Sequence, residues 1–208
     1  MIRISTTQIE SYRRIVQTDY GSEEELIAQI MGKPFAPSHA MQAGSAWHFM
    51  LEHSDTYNVV NNLVFRQDDV DKAIEFIGPG VWEVKATKTY DLPGQPVTVV
   101  AQADHVHGKV ITDNKLSLSG LDLKRYEPSL QWRLYLDIHQ AYKFIYNRWY
   151  FTEPQECSFV LKEVMSSSFS PYPGLERDCR HWIADFLGWA ASKNLWSYLE
   201  RTGSSVSA

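Results

Sequence analysis

Apolar and polar positions change period several times along the chain, and each change marks an expected element. Thr7 with Glu10 and Ser22 with Glu25 read as capping boxes opening two short N-terminal helices within residues 1–40, and Gly32-Lys33-Pro34 ends the second. Residues 44–52 continue as a helix, 57–66 as a strand and 68–77 as a short helix. Residues 81–116 are β-rich and broken at Pro93-Gly94 and His107-Gly108-Lys109, which predicts a three-stranded meander. A long helix is expected from Pro128 to about Tyr150, followed by a strand over 156–164. Within 165–208, a Ser- and Pro-rich linker over 165–174 leads to an amphipathic helix reaching about Leu199, and residues 203–208 read as a frayed tail.

The last two strands of the meander carry the densest chemistry. Runs 97–106 and 110–116 form a hairpin, with Asp104 on one arm and Asp113-Asn114-Lys115 on the other. With Gly108-Lys109 as the loop, Asp104 faces Asp113; with His107-Gly108 as the loop, the two are diagonal. Either register sets both aspartates and Lys115 on one face, unless a bulge intervenes. Like charges so placed destabilise a hairpin unless something neutralises them, and a divalent cation with oxygen ligands does so. Mg²⁺ takes one or two protein carboxylates and leaves positions for phosphate oxygens, and a neighbouring lysine stabilises charge on the phosphate or helps deprotonate the attacking water. The alternative is a surface hairpin with scattered charges.

Gly44, His48 and Glu52 fall on one helical stripe, and Gln131 and Tyr135 stand four residues apart on another. In order the chain reads Gly-x-x-x-His-x-x-x-Glu, Asp, Asp-x-Lys, Gln-x-x-x-Tyr. This ordered set, from Gly44 to Tyr135, resembles the PD-(D/E)XK nuclease superfamily and, within it, the RecB-like and phage exonuclease branch. The resemblance implies an α/β fold: a restriction-endonuclease-like α/β/α core with a mixed central sheet and additional N- and C-terminal helices. It implies His48, Asp104, Asp113 and the carbonyl of Asn114 as ligands of Mg²⁺ or Mn²⁺, and Lys115 as the catalytic lysine. Gln131 and Tyr135 would orient that lysine and contact DNA, alongside Arg133, Lys124 and Arg125. Asn114 departs from the aromatic or apolar residue usual at its position. The implied activity is metal-dependent deoxyribonuclease action, end-dependent by analogy, in recombination, repair or phage DNA processing. The partners to expect are DNA and a single-strand annealing or recombination protein or a helicase; a homo-oligomer is compatible with this.

Neighbouring residues take plainer readings. Glu52, one turn past His48, either orients that imidazole or is a solvated helix charge, and Glu83 belongs to an alternating surface face. His105 and His107 read as a solvated turn, since their parity sets them opposite Asp104. Trp132 and Tyr126 are candidates for stacking on unpaired bases.

Composition narrows the classes. At 208 residues, 44% hydrophobic and 13% aromatic, the chain is expected to be a single domain with one core. It has no apolar run of about eighteen residues and no charged-then-apolar leader, so neither membrane span nor signal peptide is expected. Two cysteines, Cys157 and Cys179, fit a cytoplasmic protein and supply too few ligands for an iron–sulfur cluster. A net charge of −5 argues against broad coating of nucleic acid, while Lys109, Lys115, Lys124, Arg125 and Arg133 give a local basic excess. Other readings are a catalytically silent DNA-binding or assembly subunit, and an interaction protein whose aromatic C-terminal helix docks a partner.

Overall fold

Val97, Val99, Ala101 and Ala103 alternate with polar residues and are all buried, which makes strand β5 (Gln95–His107) the axis of the sheet. The structure, a computed structural model, describes residues 2–18, 21–53, 59–122 and 126–201. Strand β4 (Val81–Leu92) pairs antiparallel with β5 along one edge. Two strands share the other edge: β1 (Ile2–Ser5) runs parallel opposite residues 97–100, and β6 (Val110–Ser117) antiparallel opposite 105–107. Between them, residues 101–104 have no ladder partner on that edge. Beyond β6 follow β7 (Lys143–Gln155, parallel), β8 (Ser158–Phe169), β3 (Leu63–Phe65) and β2 (Val59–Val60), giving an eight-stranded mixed sheet among the described residues.

Helices cover both faces. On one, α1 (Thr6–Gln17), α5 (Gln131–His139) and α6 (Leu175–Ser192) bury Ile9, Leu134, Ile138, Ile183 and Phe186 against β5 and β7, with α2 (Glu23–Ile30) and α7 (Trp196–Arg201) at the margin. On the other, α3 (His39–Glu52) and α4 (Gln67–Ile77) pack Trp47, Met50, Val70 and Ala73 against Phe65, Trp149, Phe151 and Phe159. The α/β/α layering expected from the resemblance is present.

Several boundaries differ from expectation. The helix begun near Pro128 starts at Gln131 and stops at His139, where Gln140 turns left-handed (φ 52°), and 143–155 form a central strand. Phe144 and Tyr146 enter one core while Trp149 and Phe151 enter the other, so both sides of β7 are apolar and its period of two is hidden. The Ser-rich stretch 165–169 belongs to β8 rather than to a linker, and the last helix is two, divided near Asn194 (φ 57°). Helix α1 starts earlier than Thr7 because Ser5 leaves β1 as its N-cap and exchanges bonds with Gln8; Glu10 is buried instead. Ile2 and Ile4 make β1 a buried strand that a four-residue alternation does not announce. The expected strand at 57–66 is a short hairpin turned by Asn61 and Asn62, both at positive φ; Tyr57 lies outside the described residues, as do residues 203–208. Ser22 caps α2 and α4 lies within one residue of its expected span.

Candidate active site

The β5–β6 hairpin adopts the Gly108-Lys109 loop: His107 faces Val110, Val106 faces Ile111 and His105 faces Thr112, which puts Asp104 level with Asp113. Gly108 supplies the positive φ (58°) that such a tight turn requires. The regular ladder ends there. At the next position the Asn114 N–H donates to the Asp104 carboxylate (2.7 Å) instead of to a backbone carbonyl, and the strands part. The site lies along this seam.

Residues reach the seam from both faces. Asp113 and Lys115 share a face with Ile111 and Tyr146, beneath α5. There Asp113 Oδ1 accepts from Gln131 Nε2 (2.7 Å) and its Oδ2 is 2.7 Å from Lys115 Nζ. Tyr135, one turn along α5, donates its hydroxyl to the carbonyl of Gln102 (2.6 Å). Helix α3 brings His48 from the opposite side, with Nε2 against the Asn114 carbonyl and Nδ1 3.4 Å from Asp104 Oδ2. The side chain of Asn114 points away into the α3 core. Its Oδ1 accepts from Trp149 Nε1 (3.0 Å) and Asn147 Nδ2 (3.4 Å), and Ser166 in turn donates to Asn147 (2.7 Å). This polar chain takes the place of the apolar packing expected beneath the site.

Burial, then the neighbouring Asp113, pushes the Asp104 carboxyl up to about 6, against the opposing pull of His48 and Lys115. Burial would lower the Lys115 ammonium, but Asp113 and Asp104 outweigh it and raise it well above its usual range. Lys115 is therefore a fixed cation. Burial and Asp113 raise the Tyr135 phenol to about 12, so it stays neutral and can donate.

The donor set suits a hard divalent cation. Among the described residues no three His, Cys, Asp or Glu side chains are gathered closely enough to hold a metal by themselves, because Asp113 is turned onto Lys115 and Gln131. Yet Asp113 Oδ2 is buried and accepts no aligned hydrogen bond, the lysine lying close but off line. Both nitrogens of His48 face oxygens. A neutral imidazole donates from one nitrogen only, so one approach sets a lone pair against an oxygen, an arrangement that a shared cation relieves.

Other candidates are placed elsewhere. Arg133 donates to the carbonyls of Ser129 (2.5 Å) and Glu127 (3.4 Å) and lies over Trp132, which stacks on Phe169 in the core and is not free to receive a base. Tyr126 packs on Tyr146. Lys124 and Arg125 lie outside the described residues. Glu52 is exposed beside His53. His105 is buried against Trp82 rather than solvated, for a reason given below; His107 is exposed. A cavity of about 520 Å³ lies at the end of β6 beyond Lys115, lined in part by Arg13, Arg14, Leu116, Ser117 and Arg148. Pattern reading did not find it, because Arg13 and Arg14 look like ordinary helix charges until Glu10, buried between α1 and α5, gathers them.

No family model and no curated protein matches the chain. Solved structures do. SSO0001 is 17% identical with a TM-score of 0.53, the match covering 91% of this chain and 77% of that one. The alkaline exonuclease LHK-Exo of Laribacter hongkongensis is 12% identical with a TM-score of 0.52, over 99% and 95% of the two chains. Its complex with dAMP gives 14% and 0.53, over 98% and 94%. At such identities the likeness is one of fold: the chain has the mixed α/β fold of an alkaline exonuclease, in agreement with the resemblance carried by its motifs.

Proposed function

We propose that this chain, built on the fold of an alkaline exonuclease, is a Mg²⁺- or Mn²⁺-dependent deoxyribonuclease that hydrolyses phosphodiester bonds. The observation that carries the reading is the convergence of Asp104, Asp113, Lys115, His48 and the Asn114 carbonyl on one seam, from three separate elements. His48, Asp104, Asp113 and the Asn114 carbonyl would hold the cation, which supplies Lewis-acid charge at the phosphate and lowers the pKa of water there.

The chain's own residues do the rest. Water attacks phosphorus in line with the leaving oxygen and loses a proton to solvent, the bond from phosphorus to the leaving oxygen breaks and that oxygen takes up a proton from solvent, and negative charge grows on the non-bridging oxygens on the way. The Lys115 ammonium, 2.7 Å from Asp113 Oδ2, stabilises that charge. Gln131 fixes the Asp113 carboxylate, and Tyr135 fixes the β5 backbone two residues before Asp104. The cavity lined in part by Arg14, whose side chain is partly exposed, offers a guanidinium group to the phosphates of a strand.

DNA as substrate is supported by the dAMP complex of LHK-Exo, and end-dependent action by the name of that enzyme. Work in recombination, repair or phage DNA processing, beside an annealing protein or a helicase, follows by analogy. The test incubates purified protein with end-labelled linear and covalently closed circular DNA, with Mg²⁺, Mn²⁺ or chelator. Metal-dependent loss of linear DNA alone is expected, abolished in Asp113→Ala and Lys115→Ala with their folds intact. A folded, fully active Asp113→Ala protein would sink the assignment.

A further inference from the structure

Glu83, the third residue of β4, has a left-handed backbone (φ 54°), a conformation that residues other than glycine rarely adopt. Trp82 pairs with His105 and Val84 with Ala103, so Glu83 stands opposite Asp104, and this pair is missing from the ladder. The two strands turn over together at that point. On β4, Ala86 and Tyr90 pack into the α5 core, but Trp82, of the same parity, packs into the α3 core. On β5, Ala101 and Ala103 face the α5 core, His105 lies against Trp82 on the other side, and Val106 returns to the α5 core. Side-chain alternation is therefore inverted between residues 82 and 86 and between 103 and 106. This is why His105 is buried. The carboxylate of Glu83 is held by the side-chain amide of Gln102, whose carbonyl in turn receives the Tyr135 hydroxyl.

We infer that Glu83 is a positioning residue: its left-handed backbone inverts the pleat at the Asp104 level and thereby aims the Asp104 carboxylate into the seam, at the Asn114 N–H and His48. In an uninterrupted strand Asp104 would keep the parity of Gln102, on the face opposite Ala103, instead of lying in the seam against the Asn114 N–H, and His105 would continue the face of Ala103. The nuclease reading gives this aim its purpose, but the aim itself is a property of the strand pair and is tested separately.

The readout is hydrogen exchange at the Asn114 amide, which Asp104 protects, with the Ile183 amide in α6 as the global control. Glu83→Gly adopts positive φ freely and should keep Asn114 protected. Glu83→Val cannot readily do so and should speed exchange at Asn114 by about tenfold, with Ile183 unchanged. Glu83→Asn, which tolerates the left-handed region, should rescue protection. If the valine protein does not fold, the glycine and asparagine proteins decide: loss of Asn114 protection in either overturns the inference, as does full protection in a folded valine variant. Cleavage of linear DNA by the wild-type protein is read in parallel. Its absence counts against the nuclease function and leaves the exchange result to judge Glu83.

Discussion

Asp104 holds its proton up to about pH 6 because its carboxylate is buried and faces Asp113. The raised value has a definite sign. In the metal-free protein the protonated form is favoured by the fold, so the stability it contributes is fully present below the ordinary carboxylate pKa and is lost as pH rises through about 6. A cation held by Asp104 would have to displace that proton, so its affinity would rise over the same interval. Thermal unfolding with and without Mn²⁺ should show a clear stabilisation at pH 7.5 that shrinks at pH 5.5; equal shifts at both would contradict Asp104 as a ligand. Asn114 makes a second prediction at this scale. Asn114→Leu restores the expected apolar residue but leaves the Trp149 and Asn147 donors without their acceptor in a closed core, at a cost of about 1–3 kcal/mol. Urea denaturation measures it. The sequence named Asn114 as a departure but offered no sign of Asn147 or Trp149, since contacts 33 and 35 residues apart leave no local period.

At the scale of elements, the carboxylate of a buried ion pair within α1 also caps the start of α5. Glu10 receives two bonds from Arg13 (2.8 and 3.1 Å) and one from Arg14 (3.1 Å), and it caps the Leu130 N–H at the entrance to α5 (2.8 Å). Burial pulls its pKa up, but these partners together lower it below the usual value. Its stabilisation is thus present above the unfolded carboxylate pKa and is lost as pH falls through the lower folded value. Glu10→Ala should destabilise the protein by about 3 kcal/mol by leaving Arg13 buried without its anion, and should flatten the acid limb of the stability profile. A wild-type acid limb in the variant would show that other carboxylates govern it. The same junction marks what the sequence could reveal. The meander announces itself through the breaks at Pro93-Gly94 and Gly108, α4 through its apolar stripe and Gly78 at its end, and α3 from Gly44 onward though it begins at His39. Strand β7 hides because both of its sides are buried, β1 because it is four residues long, and the inversion at Glu83 because a positive φ on a glutamate has no sequence signature.

Across the whole molecule, the sheet behaves as two plates with a crack between them. Strands β1, β4 and β5 form one plate, β6, β7, β8, β3 and β2 the other, and among the described residues only the three rungs next to Gly108 pair the two plates. Asp104 and Asp113 sit at the crack tip. Helix α5 bridges the opening as a clasp, Tyr135 gripping one lip at Gln102 and Gln131 the other at Asp113. Gly108→Val forces a branched side chain into positive φ and strains the turn. It should cut DNA cleavage while shifting the melting temperature by only a few degrees; unchanged cleavage would mean that the rungs do not set the gape. The side chains at the seam are therefore held the way a notch is held in a loaded plate, by whatever keeps the crack from lengthening, and a turn and a single helix share that mechanical duty.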